Sequence, residues 1–140
     1  MTLHTLIVDD DQMVLTLLKR YLQDREELKI TAVPGPEEAL KVLSKEKIHI
    51  LILDIVMPGM DGITLLEKAK EIDPLTHVIM MTADSTLGRV IESLGYGAMD
   101  FVMKPFESAE DITSVVDVSV QRWNRWNEVL KKTAKKTLSE

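Results

Sequence analysis

The sequence predicts an α/β fold, a doubly wound five-stranded parallel sheet with five helices, and three observations carry that prediction. Five short apolar runs alternate with segments of helical periodicity, the rhythm of a parallel sheet with helices on both faces. Ile48 to Leu53 is nearly all apolar, as a strand covered on both faces must be. Four of the five runs end in polar or reactive residues, namely Asp9-Asp10, Asp54, Thr82 and Lys104. Open parallel sheets gather ligands outside the carboxyl ends of their strands.

Leu6-Ile7-Val8 reads as the first strand, and Asp9-Asp10-Asp11 ends it. A helix follows, with Met13, Val14, Leu17, Leu18, Tyr21 and Leu22 on one face and Asp11 as its N-cap. Leu28 to Val33 is the second strand. Pro34-Gly35-Pro36 breaks the chain, and Glu37-Glu38 open the next helix, where acidic side chains suit the helix dipole. Its buried stripe is Ala39, Leu40, Val42 and Leu43. After the third strand, Pro58-Gly59-Met60-Asp61-Gly62 forms a turn cluster, and a helix buries Ile63, Leu65, Leu66, Ala69 and Ile72. Val78 to Met81 is the fourth strand. Leu87, Val90, Ile91 and Leu94 are expected to face inward from the fourth helix. Met99 to Met103 is the fifth strand, and the last helix starts near Glu107 and runs on beyond the sheet.

Composition narrows the function. A chain of 140 residues, 45% hydrophobic and 29% charged, suits one domain with a core large enough to need no staples. Without cysteine, disulfides, thiolate zinc sites and thiol catalysis are excluded. No apolar stretch reaches membrane-spanning length, and the first residues lack the pattern of a signal peptide, so a cytoplasmic protein is expected. Residues 1–121 hold 11 basic against 21 acidic side chains, whereas residues 122–140 hold 6 against 2. The acidic body should repel nucleic acid, and one short basic helix does not make a nucleic-acid-binding module.

The strand ends bring Asp9, Asp10 and Asp54 to one edge. Two carboxylates about 4 Å apart repel by roughly 4 kcal/mol at an effective dielectric near 20, so protons or a cation must relieve them. All-oxygen ligands favour a hard ion, and Mg²⁺ fits best. Lys104 adds a point charge and Thr82 a hydroxyl donor for the same anion. The site is suited to a phosphoryl group. Asp54, alone at the end of the most buried strand, is the candidate nucleophile, and the Asp9-Asp10 pair suits metal binding better.

Taken together, Leu6-Ile7-Val8-Asp9-Asp10-Asp11, Asp54-Ile55-Val56-Met57-Pro58-Gly59-Met60-Asp61-Gly62, Met81-Thr82-Ala83 and Lys104-Pro105-Phe106 resemble the receiver domain of bacterial two-component response regulators, the chemotaxis regulators among them. The resemblance covers roughly residues 4–120. It implies a flavodoxin-like strand order 2-1-3-4-5 and a phosphorylation-activated signalling switch rather than an enzyme acting on external substrates. It makes Asp54 the acceptor of a phosphoryl group from a sensor histidine kinase or phosphotransfer protein. Asp10 becomes a direct Mg²⁺ ligand, Asp9 its partner acting largely through water, and Val56 the donor of a backbone carbonyl to the metal. Lys104 pairs with phosphoryl oxygens, Thr82 moves toward the phosphate, Phe101 turns inward behind it, and Lys104-Pro105 is a cis peptide. Asp84 either tunes access of water to the phosphate or caps the fourth helix.

Two other functional classes differ at identifiable residues. Haloacid-dehalogenase-like phosphohydrolases carry a second Asp two residues after the nucleophile, where this chain has Val56. A scaffold receiver would not need its complete acidic pocket, Thr82 and Lys104. The methionines at 57, 60, 80, 81, 99 and 103 read as packing. His4, His49 and His77 are dispersed without ligand spacing, so no metal role is assigned to them.

The domain is read as residues 1–121, with 122–140 a helical extension or the start of a linker. Nothing in 122–140 reads as a helix-turn-helix or ATPase motif, which fits a stand-alone receiver and the front of a longer regulator alike. Residues 111–132 are expected to form one helix with Ile112, Val116, Val120, Trp123, Trp126 and Leu130 in one stripe. Trp123, Trp126 and Leu130 are expected to bury against a second copy, making a homodimer through this helix.

Overall fold

The computed structural model describes residues 1–83 and 87–139, with no account of the Ser139 side chain. Five strands, β1 (Leu3–Val8), β2 (Leu28–Val33), β3 (Ile50–Asp54), β4 (His77–Thr82) and β5 (Ala98–Met103), alternate with α1 (Gln12–Leu22), α2 (Pro36–Lys45), α3 (Gly62–Ile72), α4 (Leu87–Gly95) and α5 (Glu110–Ser139). All strand pairs are parallel, in the order β2-β1-β3-β4-β5. The sequence-level fold class and strand order are both observed.

Alternation along the central strands divides the core in two. Ile50 and Ile52 of β3 join Leu15, Leu18 and Leu22 of α1 and Ile112, Val116, Val120 and Trp123 of α5 on one face. Leu51 and Leu53 join Ala39 and Leu43 of α2 and Leu65, Leu66 and Ala69 of α3 on the other. Every residue of β3 and β4 is buried, which is why their sequences show no polar alternation. Asp11 and Asp61 cap α1 and α3, accepting from the amides of Met13 and Ile63, and Pro36 opens α2 ahead of Glu37 and Glu38.

Three helix faces depart from expectation. In α1 the buried residues are Leu15, Leu18 and Leu22, while Met13 stands 81% exposed. Ile72, in the last turn of α3, is exposed. The departure is largest in α4, where Leu87, Ile91 and Leu94 are exposed and Ser93 is the buried residue. Its hydroxyl donates to the Arg89 carbonyl at 2.8 Å, so the small, internally satisfied face turns inward and the apolar stripe turns out. Apolar periodicity shows which residues share a face, but here it misjudges which face is covered.

The last helix also requires a correction. Trp123 does not await a second copy: it is 2% exposed within its own chain, and its Nε1 donates to the His49 carbonyl at 2.7 Å. His49 meets the Trp123 ring edge-on at 4.9 Å, and His77 lies 5.3 Å from it. The His4 amide donates to His49 Nδ1 at 3.0 Å. The three histidines, distant in sequence, thus gather at the amino ends of the central strands, because a parallel sheet brings strand starts together as surely as strand ends. His49 and His77 pack there on Trp123, an indole that also carries Lys47 over its face at 5.4 Å, and His4 packs against His49.

Candidate functional site

At the opposite edge the strand ends deliver the acidic residues. Asp54 is the last residue of β3, Thr82 the last of β4, and Asp9 and Lys104 directly follow β1 and β5. Backbone bonds tie these ends together: the Ile55 amide donates to Met81 O at 3.0 Å, and the Lys104 amide to Thr82 O at 2.8 Å. Carboxylate oxygens of Asp9, Asp10 and Asp54 lie within 4.8 Å of one another. Asp9 and Asp54 are buried and Asp10 is exposed. The three acids are therefore a two-storey site, with a sunken pair and one carboxylate at the rim.

Each sunken carboxylate is held in the same way. The amide two residues on donates to one oxygen, Asp11 to Asp9 Oδ1 at 2.8 Å and Val56 to Asp54 Oδ1 at 3.2 Å. Lys104 Nζ bridges the other oxygens, donating to Asp9 Oδ2 and, at 3.0 Å, to Asp54 Oδ2. Burial raises the Asp9 pKa above its ordinary 3.8; the Lys104 bond and the Asp11 amide oppose that shift without cancelling it, and the Asp54 charge adds to it. Burial alone would lower the Lys104 pKa, but its bonds to Asp9 and Asp54 and their charges hold it above 10.5. One ammonium thus serves the two sunken carboxylates of the three.

Unit charges 4.8 Å apart still repel by about 3.5 kcal/mol at an effective dielectric near 20, a cost that a divalent cation would relieve. The donors are carboxylate oxygens alone, with one solvent-facing member, and this set fits Mg²⁺, which keeps several waters and takes few protein ligands. Among the described residues this is also the only group of three acidic, histidine or cysteine side chains close enough to hold an ion.

The remaining expected residues fall around this cluster. Thr82 is buried. Phe101 is partly buried against the core cluster that contains Leu53 and Met80, opposite Met80 in the β4–β5 register. Val56 follows Asp54 by two residues with its side chain turned to solvent; no carboxylate occupies the position where a phosphohydrolase of the dehalogenase kind needs its acid/base. The Lys104–Pro105 peptide is cis. Asp84 lies outside the described residues.

Two features were not read from the sequence. A Cβ on Gly62 would stand 2.1 Å from the Asp54 carbonyl oxygen and 2.7 Å from Ile55 Cα. Only glycine therefore lets the start of α3 rest against the end of β3; within a Pro-Gly-Met-Asp-Gly cluster it looks like one more turn residue. Arg89 of α4 reaches Asp61, the α3 cap, at 2.6 Å. With Ile55, Val56, Met57 and Gly59 this pair lines a cavity of about 300 Å³ beside the loop that leaves Asp54. Asp61 has a cap's sequence signature, but nothing in the sequence pairs it with Arg89.

Residues 5–117 match the family described as response regulator receiver domain. The transcriptional regulatory protein MalR of Bacillus subtilis is 35% identical over 116 residues, which are 82% of this chain and 49% of MalR. The chemotaxis protein CheY of Listeria monocytogenes is 36% identical over 106 residues, 76% of this chain and 89% of CheY. The CheY-like response regulator receiver domain protein from Methanospirillum hungatei superposes with a TM-score of 0.83 at 28% identity, covering 89% of this chain and 98% of its own. The chain thus spans about half the length of MalR but most of the length of CheY. With an acidic cluster of the phosphoacceptor type at the expected strand ends, the chain belongs to the response regulator receiver domains, the phosphorylation-activated switches of two-component systems.

Proposed function

We propose that Asp54 is the residue phosphorylated, with a sensor histidine kinase or phosphotransfer protein as donor in the cytoplasm. The observation that carries this reading is the Lys104 bridge between Asp9 and Asp54 beneath a rim carboxylate. An Asp54 oxygen attacks phosphorus of the phosphohistidine, the new P–O bond forms as the P–N bond breaks, and the departing imidazole nitrogen takes a proton from solvent. Lys104, already protonated, passes from the Asp54 carboxylate to the oxygens of the new phosphoryl group. Thr82 supplies a hydroxyl to the same oxygens, and Phe101 fills the space behind it. Asp9, Asp10 and Asp54, with the backbone carbonyl of Val56, are the groups that would hold Mg²⁺. When bound, the ion neutralises charge on both the carboxylates and the phosphoryl group. Phosphorylation shifts the domain between two conformations that a downstream partner or output domain distinguishes.

Incubation with acetyl phosphate and Mg²⁺ should add a single phosphoryl group, measured by intact-protein mass spectrometry. Asp54→Asn should take none, and Asp10→Ala should lose both labelling and Mg²⁺ binding more completely than Asp9→Ala. Labelling that survives Asp54→Asn, or that is unchanged in excess chelator, overturns the assignment.

A further inference from the structure

At the far end of the loop that leaves Asp54, one carboxylate oxygen takes two bonds. Asp61 Oδ1 accepts from the Ile63 amide at 3.1 Å, which caps α3, and from Arg89 Nη2 of α4 at 2.6 Å. Between Asp61 and Ile63, the Gly62 amide donates to the Ile55 carbonyl at 2.8 Å and ties the end of the loop back to its beginning. That beginning belongs to the acidic site, because the Val56 amide donates to Asp54 Oδ1. A continuous chain of bonded groups thus runs from Arg89 through Asp61, Gly62 and Ile55 to Val56 and Asp54.

Packing alone does not fix this loop. Ile55 and Met57 are buried, but Val56 is 64% exposed, and Pro58 and Gly59 face solvent. The cavity of about 300 Å³ is lined by Ile55, Val56, Met57 and Gly59 together with Asp61 and Arg89, so one flank of the loop borders open volume. Close-packed interiors leave few such voids, and a loop beside one depends on its bonds to keep its place. We propose that Arg89 is a positioning residue for phosphorylation: through Asp61 it fixes the loop so that the Val56 backbone is in place beside Asp54 before Mg²⁺ binds. This inference rests on the reading of Asp54 as acceptor and of Val56 as a metal donor.

Without the pair the loop samples other positions, and the apparent affinity for Mg²⁺ falls with the fraction still in place. The Arg89 and Asp61 side chains are 34% and 39% exposed, so the effect is modest. A threefold loss corresponds to about 0.7 kcal/mol, the size that so exposed a pair supplies. Charge acting through space predicts a different pattern. Arg89→Ala deletes a positive charge and by itself would tighten Mg²⁺ binding, whereas Asp61→Asn deletes a negative one and would loosen it. Positioning predicts that both loosen it. Asparagine caps a helix as well as aspartate does, so Asp61→Asn separates the ion pair from the cap.

Isothermal titration calorimetry of the full chain with Mg²⁺ tests this. Arg89→Ala and Asp61→Asn should each raise the dissociation constant about threefold, and the double variant no further than either alone. Arg89→Lys should stay within about twofold of the parent, since it keeps the charge and one donor. Acetyl phosphate labelling of Arg89→Ala should need correspondingly more Mg²⁺ for half-maximal rate, with the rate at saturating Mg²⁺ nearly unchanged. In metal-free protein, hydrogen exchange at the Val56 and Gly62 amides should quicken about threefold in both single variants; this reading depends on neither Mg²⁺ nor the identity of the acceptor. Tighter Mg²⁺ binding by Arg89→Ala, additive losses in the double variant, or unchanged exchange at both amides overturns the proposal. If the parent binds no Mg²⁺, the reading of the acidic site fails, and the exchange rates alone decide whether Arg89 holds the loop.

Discussion

His77 opens β4 almost fully buried, and neither ring nitrogen has a hydrogen-bond partner among the described residues. Its ring packs 5.3 Å from Trp123 and 5.1 Å from Trp126. Burial, followed by the positive charges of Lys70 and Arg122, pushes its pKa from 6.5 down to about 4. The folded protein therefore keeps this imidazole neutral through a range in which the unfolded chain protonates it. Stability linked to His77 is fully present above pH 6.5 and drains away as pH falls toward 4, because there the unfolded state binds the extra proton. Linkage between these two pKa values amounts to about 2 kcal/mol lost between pH 7 and pH 5, a sizeable share of the roughly 5–15 kcal/mol that holds a domain together.

The comparison that isolates this effect is urea unfolding of the parent and His77→Phe at pH 7, 6 and 5. Phenylalanine fills a similar space and has no proton to gain. Carboxylates titrate in both proteins, and so does His49, whose pKa is also depressed by burial and by Lys47 and His4; their contributions cancel in the difference. The stability of His77→Phe relative to the parent should improve by about 2 kcal/mol from pH 7 to pH 5. Parallel stability–pH curves for the two proteins would refute the reasoning, since they would mean that folding does not depress the His77 pKa.

Two further substitutions probe the packing at each pole. Trp123→Ala removes a buried indole and its bond to the His49 carbonyl, and should cost about 3–5 kcal/mol of unfolding free energy by urea titration; a loss under about 1 kcal/mol would mean that the indole is not part of this domain's core. Gly62→Ala drives a methyl into the Asp54 carbonyl and should destabilise by about 2 kcal/mol or more, within or above the range for overpacking, while slowing acetyl phosphate labelling; parent-like stability would show that α3 does not press on β3 as described.

The acidic site was legible because its chemistry is tied to residue type and to one topological rule. Carboxylates, a threonine and a lysine at the ends of apolar runs have few other reasons to recur, and parallel strands converge at their carboxyl ends whatever the loops between them. Strand identity was equally plain in β3 and β4, where coverage on both faces removes the polar alternation. The α4 stripe shows where legibility stops. Leu87, Ile91 and Leu94 obey helical spacing, yet Ser93 is the buried residue, because the choice between a helix's two faces is made by what the helix packs against and not by its own sequence.

The histidine–tryptophan pole fails to show itself for a related reason. Parallel strands converge at their amino ends too, so His4, His49 and His77 were bound to meet, but the residues there satisfy no charge rule that would mark them. An acidic cluster tolerates few substitutes, since three like charges need a cation and a lysine and no apolar residue can replace them. A buried cluster needs only volume and a few satisfied polar atoms, which many side-chain sets supply. Trp123 was misplaced on those grounds: one apolar stripe serves equally to cover a sheet or to meet a partner, and the sequence does not mark where the sheet ends. The His49 carbonyl, which receives the Trp123 indole nitrogen at 2.7 Å, marks that point; past it Trp126 still meets His77 edge-on at 5.1 Å, and Leu130, one turn on, is exposed.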